Sequence, residues 1–322
     1  MFSNKDVIEF LGSNPALSVS ILEKEAALPS STLSKAIAGK RTLNDRHLAA
    51  LTPVLEKYGL SAGSQRQARV LSIINHKGGV GKTTTTINLG RALSLRAKRV
   101  LMVDMDSQGN LSQSLGVDEP EAQVAHTLLK STPLFIHSIE KGYDLAPSDL
   151  ELAYADLELV QAVGGVNQLR NALTPLLNQY DYILIDCPPA LNIFTNSALV
   201  ASDSCLVTLQ PEASAMKGVS NLFDRIFQVR DRINYNLKIE GILLTMVDRR
   251  LKVHRDMIEY INQTLGNFRI FKSEIRNNVT VKESQIAQQD LFTYSPNCNA
   301  AEDYMKLADE ILKIKTLKSE AA

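Results

Sequence analysis

The segment "NHKGGVGKTTTT", Asn75 to Thr86, constrains this chain more than any other stretch. An apolar run precedes it and a helix-forming run follows, so it reads as strand, glycine-rich turn and helix start. Gly78, Gly79 and Gly81 let backbone N–H groups, that of Val80 included, point inward around an anion. The helix N-terminus adds positive potential at the same place. Lys82 is set to reach β- and γ-phosphates, the Thr83 hydroxyl to ligate Mg2+, and Thr84 to bond an α-phosphate. Thr85 and Thr86 read as first-turn helix residues. The loop departs from the common G-x-x-x-x-G-K-[ST] pattern, because His76 stands where the first glycine belongs. Lys77 follows it, five residues ahead of Lys82.

Two later segments suit the same chemistry. "RVLMVDMDSQGN" is an apolar strand ending in Asp104 and Asp106, two carboxylates at strand period. "YDYILIDCPPA" is a second apolar strand ending in Asp186, placed to hold Mg2+ through water. C-terminal strand ends gather round the ligand crevice of an open parallel sheet, so all three aspartates are expected to face the phosphates.

From Val70 onward strands and helices alternate, the sign of a mostly parallel sheet. Expected strands are Val70–Asn75, Val100–Asp104, Tyr182–Asp186, Cys205–Leu209, Ile239–Met246 and Arg269–Ser273, with a last helix from about Ala300 to Lys315. The first sixty residues read as a separate helical unit. Ser20 and Glu23 stand at capping-box spacing, and Leu28-Pro29 breaks the chain. Ser30 is placed to cap a second helix that Gly39 ends, and Asn44 a third that Gly59 stops and that Pro53 kinks or restarts. Ser61–Arg69 is small and polar, a linker. The expected division is a helical domain over 1–60, a linker over 61–69 and an α/β domain over 70–322.

The 322 residues carry 35 Lys+Arg and 35 Asp+Glu, so only the distribution of charge is informative. Residues 118–160 have a local balance of −7 and residues 217–255 one of +5. Three cysteines without paired spacing argue against a disulfide framework or a four-thiolate zinc site. Cys187 and Cys205 read as small core residues. No apolar run reaches the ~18 residues of a spanning helix, and no apolar leader opens the sequence, so the expectation is a cytoplasmic protein.

These residues resemble the ParA family of partitioning ATPases, within the deviant Walker A group that includes the MinD proteins. The resemblance runs from Arg69 to about Leu312 and includes "HKGGVGKTTTTINL", "VDMDSQGNLS", "YILIDCPP", "LQPEASAMKGVSNL", "ILLTMVDRR" and "NAAEDYMKLADEIL". It implies a P-loop NTPase fold, a mostly parallel sheet flanked by helices, with the helical domain ahead of it. It implies Mg2+-dependent ATP hydrolysis and an ATP-dependent sandwich homodimer. Lys77 matches the signature lysine that crosses to the partner's nucleotide, and Lys82, Thr83 and Thr84 the phosphate and Mg2+ ligands. Asp106 matches the aspartate that orients the attacking water, and Asp186 the Walker B acid. Met246 and Asp248 stand where adenine contacts are usual, and Gly218 matches a switch-region glycine, here after Met216-Lys217. Ser107 replaces the proline of the family's DxDPQ pattern.

Two stretches suit DNA. Ile21–Gly39 has helix-turn-helix length, with Ser31–Ala38 as recognition helix, and residues 28–44 carry Lys35, Lys40 and Arg41 and no acid. Ser31, Thr32, Ser34 and Lys35 are polar groups suited to base edges or phosphates. A helical docking module is the competing reading. In the family's ATP-bound dimers, basic residues of the second stretch hold nonspecific DNA. Arg250 stands near such a position, with Arg225, Arg230, Arg232, Arg249, Lys252 and Arg255 of residues 217–255 as further contributors. The resemblance further implies a ParB-like centromere-binding partner, nucleoid association and no membrane role. The alternative is a nucleotide-switched repressor that reads a specific operator through its helix-turn-helix. A metabolic ATPase or reductase of the same superfamily is a third.

Overall fold

The chain divides into two units, Met1–Gln67 and Ala68–Ala322. The computed structural model describes residues 2, 4–13, 17–58, 67–216 and 218–313. Ser61–Arg66 of the expected linker, the helix stop Gly59, and Lys217 lie outside them.

Among its described residues the first unit has four helices, α1 Asn4–Ser13, α2 Val19–Glu25, α3 Thr32–Ile37 and α4 Asp45–Lys57. Val7, Leu11, Leu22, Leu33, Leu51 and Leu55 meet in its core. Its caps differ from the expected set. α2 begins after Ser18 without a side-chain cap, and Glu23 serves the next helix instead. The two Glu23 oxygens accept from Ser31 N at 2.9 Å and Leu33 N at 2.7 Å. A carboxylate from one helix thus satisfies N–H groups at the start of another, where the helix dipole also favours it. Ser31, in the left-handed conformation at φ 66°, flanks α3 in place of Ser30. Asn44 accepts from His47 N at 3.0 Å, and Gly39 has φ +69°. Pro53 does not interrupt α4. It removes one N–H, but Leu51 and Leu55 are buried on either side of it and hold the helix to the core.

The second unit is an eight-stranded sheet. Its strands are β1 Arg69–Ile74, β2 Val100–Asp104, β3 His137–Glu140, β4 Tyr143–Ala146, β5 Tyr182–Asp186, β6 Ser204–Leu209, β7 Lys238–Val247 and β8 Ile270–Arg276. The order is β3-β4-β2-β5-β1-β6-β7-β8. Every neighbouring pair is parallel except β3/β4. Strands β2, β5 and β6 are buried at each position, as continuous apolar runs require in a sheet covered on both faces. The β3–β4 hairpin had no place in the sequence reading. Its strands have four residues each and β3 is largely exposed, so it lacks the apolar run that marks the others.

Helix α5, Lys82–Leu95, and the helix Asn299–Ile311 share one core, where Leu89, Leu93, Tyr304, Leu307 and Ile311 meet. The apolar face of the second helix is therefore spent on packing. Ile314 and Lys315 lie outside the described residues, and no described helix is long and apolar enough to cross a membrane. Cys187 and Cys205 are buried. Because β1, β2 and β5 run parallel, Asn75 and the carboxyl-ended strands open at one edge, with Asp104 and Asp186 in register.

Candidate nucleotide-binding site

Asn75 fixes the start of the loop. Its Nδ2 donates to Thr208 O on β6 at 2.6 Å, and its Oδ1 accepts from Lys77 N at 2.9 Å. Gly79 and Gly81 adopt φ +71° and +84°, values that favour glycine. A Cβ on Gly78 or Gly79 would meet nothing within 4 Å, so the space above them is open to a ligand. Val80 is buried, and its carbonyl accepts from Thr245 Oγ1 at 2.9 Å. Lys82 opens α5, with Nζ donating to Lys77 O at 3.0 Å. Burial lowers its pKa, opposed by the nearby Asp186, Cys187 and Asp106. The loop thus closes on its own lysine, which carries its charge at some cost until an anion joins it.

Gly78, Gly79, Lys82, Thr83, Thr84 and Asp106 line one cleft of about 620 Å³ with Met246. Gln108, Asn110, Lys282 and Gln285 join them, and Gln285 Nε2 donates to Thr84 Oγ1 at 3.2 Å. Sequence reasoning missed these four, because single polar residues in loop and helix positions carry no periodic signal. Lys77 points elsewhere. Its Nζ lies 3.2 Å from Glu212 Oε2, after β6. Beyond that segment Gly218 has φ +87°, and a Cβ there would come within 2.5 Å of His76 Nε2. The conformation favours glycine there, and any side chain would have to displace the His76 ring.

The three aspartates differ. Asp104 is fully buried and both its oxygens are engaged. Oδ1 accepts from Asp106 N at 3.1 Å, and Oδ2 from Ser112 N at 3.0 Å and Ser112 Oγ at 2.8 Å. Burial still pushes it up to about 7 against those bonds. Like Asp186 it does not line the cleft, and its oxygens are held by donors of its own loop. Asp106 faces the cleft while Oδ1 accepts from Gln108 N at 3.0 Å. Gly109 N donates to Asp106 O at 2.9 Å, closing the turn over Ser107 without a proline. Asp186 Oδ1 accepts from Thr86 Oγ1 at 3.4 Å, whereas Oδ2 is buried with no hydrogen-bond partner. Burial raises its pKa, as does Asp104, while Thr83 and Lys82 oppose the rise. An orphaned buried carboxylate oxygen beside the Thr83 side of the loop fits a hydrated divalent cation of Mg2+ type.

The expected adenine-side pair is divided. Met246, at φ +53°, lines the cleft and an adjoining pocket of about 320 Å³ with Thr84, Asn278, Gln285 and Tyr304. Asp248 lines neither. It binds Arg250 through both oxygens at 2.9 and 2.7 Å, which holds its pKa down to about 2.

The DNA candidates are also sorted by the structure. Ser34, Lys35, Lys40 and Arg41 are exposed and Ser31 is half-buried. Thr32 is corrected: it is buried, and its hydroxyl donates to Pro29 O at 2.7 Å. An inward-facing residue at the first position of α3 cannot meet a base edge. In the second unit, Arg230 pairs with Asp231, Arg249 with Glu274 and Arg250 with Asp248. Arg225 is half-buried. The positive balance counted along the sequence is thus partly offset in space, and Glu274 lies outside the counted segment.

Residues 68–239 match the family model described as AAA domain. The chain is 37% identical over 248 residues to the sporulation initiation inhibitor protein Soj of Bacillus subtilis, covering 76% of this chain and 98% of that protein. It is 39% identical over 258 residues to the chromosome partitioning protein ParA of Myxococcus xanthus, covering 78% and 90% respectively. Its fold is similar to cobyrinic acid a,c-diamide synthase of Mycobacterium smegmatis solved with a bound ATP analogue and magnesium. There the TM-score is 0.68 at 32% identity, over 76% of this chain and 95% of that one. With its two-lysine loop, its strand-end carboxylates and these relatives, the chain belongs to the ParA family of deviant Walker A ATPases.

Proposed function

We propose that the protein is a partition-type ATPase that pairs on ATP, holds DNA in the paired state and leaves it after hydrolysis. The observation that carries this reading is the single cleft shared by the glycine loop, Lys82, Thr83 and Asp106, beside the open oxygen of Asp186. Phosphoryl transfer needs positioning and charge neutralisation more than covalent chemistry. Gly78, Gly79, Val80 and Gly81 offer backbone N–H groups to the phosphates. Lys82 leaves the Lys77 carbonyl for the β- and γ-phosphates, whose negative charge offsets the cost of its burial. Thr83 and Asp186 would hold Mg2+, which when bound would draw off charge from the phosphate oxygens. Asp106 orients the attacking water, and Asp104 keeps Asp106 in place through the bond to its N–H. Thr84 and Met246 contact the nucleotide, and Asp248 acts instead on Arg250.

Lys77 completes the site of a second copy. A cation reaching in from a neighbour ties hydrolysis to pairing, as an arginine finger does. Arg225, Arg230, Arg249 and Arg250 supply nonspecific phosphate contacts, and Ser34, Lys35, Lys40 and Arg41 of the first unit contact DNA near α3. A ParB-like DNA-bound partner stimulates turnover and sets the cargo, with the protein working on the nucleoid.

The test is Lys77→Gln. The variant is expected to bind Mg2+-ATP as a monomer but to lose ATP-driven pairing in sedimentation and at least about 10²-fold in turnover. Unchanged pairing and turnover would sink the reading. One observation favours a second function: residues 28–44 expose Lys35, Lys40 and Arg41 with no acid among them. Footprinting with and without ATP decides whether the first unit reads one operator, as a repressor would.

A further inference from the structure

The phosphate cleft and the smaller pocket beside it meet at five residues, Gly81, Thr84, Met246, Lys282 and Gln285. A nucleotide with its phosphates on the glycine loop and its base in the pocket of about 320 Å³ crosses that junction with its sugar and α-phosphate. Gly81, Thr84 and Met246 belong to the loop, to α5 and to β7. Lys282 and Gln285 come from the helix Thr280–Ile286, which follows β8.

Lys282 is exposed and, among the described residues, pairs with no carboxylate. Its cationic neighbours differ. Arg249, Arg250, Arg276 and Lys306 line an adjoining surface groove, and each is held by an Asp or Glu. Lys82 Nζ is bonded to a carbonyl, and Lys77 lies beside Glu212. An exposed lysine is ordinary by itself. One that borders two joined cavities, with an anion-binding loop as the facing wall, has an anion to meet.

Gln285 supplies an independent observation. Its Nε2 donates to Thr84 Oγ1 at 3.2 Å. A hydroxyl that accepts from an amide keeps its own proton to donate. The Thr84 proton is thereby left for an acceptor in the junction, and the oxygens of an ionised phosphate can only accept. The segment is also fastened in place. Leu291 N donates to Asn88 Oδ1 on α5 at 2.9 Å, Thr280 N donates to Asn278 Oδ1 at 2.9 Å, and Ser284 is buried. Lys282 and Gln285 are thus tied to the same helix that carries Lys82, Thr83 and Thr84.

We propose that Lys282 binds the α-phosphate of the nucleotide, and that Gln285 is a positioning residue that turns the Thr84 hydroxyl toward that phosphate. The proposal rests on the ATPase reading above. It gives each copy a cation for its own nucleotide, in addition to Lys82, that does not wait for Lys77 of a neighbour.

The test is displacement of a fluorescent ADP from the full-length protein by adenosine, AMP and ADP, with Mg2+ present. Lys282→Ala is expected to weaken AMP and ADP by one common factor of at least about fivefold and to leave adenosine unchanged. Lys282→Glu loses more, and Lys282→Arg recovers most of the affinity. The deficit of the alanine variant shrinks as salt is raised. In turnover the change shows in KM for ATP rather than in kcat, whereas Lys77→Gln acts on kcat. Gln285→Glu, whose carboxylate accepts the Thr84 proton itself, weakens AMP more than Gln285→Ala does. The lysine variants keep their melting temperature, because the side chain is exposed.

AMP that binds the wild-type protein no better than adenosine overturns the proposal, and so does equal binding of AMP and ADP by wild type and Lys282→Ala. A loss equal for adenosine and AMP places the lysine against the base or sugar. A loss confined to ADP places it against the β-phosphate, and either outcome overturns the assignment. Wild-type protein that binds no ADP takes the ATPase reading down as well, whereas intact ADP binding in wild type and variant alike refutes the role of Lys282 alone.

Discussion

Asp104 and Asp186 end neighbouring strands in register, each after an apolar run and each fully buried. One has both oxygens bonded to donors of its own loop, and the other has an oxygen without a hydrogen-bond partner. The first is closed by its own loop, whereas the second keeps one oxygen open to a further donor or cation. Burial raises both pKa values, so the shift alone does not separate the two roles; the hydrogen-bond inventory does. Glu23 and Asp248 extend the comparison. Glu23 is closed by the start of α3 in the first unit, and Asp248 is closed by Arg250 alone, through its side chain and its backbone N–H.

The largest effect expected is at the open carboxylate. Asp186→Asn should lower turnover by about 10²- to 10³-fold, read as phosphate release under saturating Mg2+-ATP. The same change should raise the melting temperature in Mg2+-free buffer. Its pKa is higher folded than unfolded, so between the ordinary carboxylate value of about 4 and its raised value the folded state holds the extra proton. Wild-type stability accordingly falls as pH rises through that window, and the asparagine variant should show a flatter profile. A variant less stable than wild type across the whole range would place Asp186 with the closed carboxylates.

Asp104→Asn probes the closed type. Its amide must turn an N–H toward donors, either Asp106 N or the Ser112 pair, so one bonded set is lost. A cost of about 2–3 kcal/mol in chemical unfolding follows. Turnover falls about tenfold through the displaced loop, with Mg2+ affinity unchanged. If Mg2+ affinity drops as steeply as in Asp186→Asn, the division between anchor and ligand fails.

This division marks how far the sequence could be read. The loop, the six main strands and the gathering of Asp104, Asp106 and Asp186 were legible, because glycine spacing, apolar runs and parallel topology each have a local signature. Which aspartate anchors was not, since the deciding partner, Ser112, is a single serine eight residues away with no pattern to announce it. The β3–β4 hairpin escaped for want of an apolar run. Glu23 was assigned to its own helix because the capping-box spacing is local, whereas its real partners follow a turn. Thr32 looked available for DNA until packing turned it inward, and the arginines looked free until Glu274 and the two aspartates were seen beside them.

Glu23→Gln is a smaller test of the same idea. Glutamine keeps one acceptor oxygen, so one of the two N–H groups of Ser31 and Leu33 is left without its partner. The expected loss is about 1 kcal/mol in the unfolding of the first unit, seen by circular dichroism of the full chain. ATP turnover should not change, because the cleft belongs wholly to the second unit.

The smallest effect concerns the carboxylate closed by one arginine. The Arg250 side chain is 90% exposed and its guanidinium lies on Asp248 at 2.7 Å. Exposed pairs of this kind are worth little in water, so a DNA phosphate can compete for the arginine. Arg250→Ala should reduce the slope of log affinity against log salt by about one for the ATP-bound protein on nonspecific duplex. Asp248→Asn should act in the opposite sense and strengthen DNA binding severalfold at low salt, since it frees the guanidinium and removes a nearby negative charge. If Asp248→Asn weakens nucleotide binding and leaves DNA binding alone, Asp248 returns to the adenine side that its place in the sequence suggested. The two measurements together decide whether this pair is a fixed surface contact or a cation held ready for phosphate.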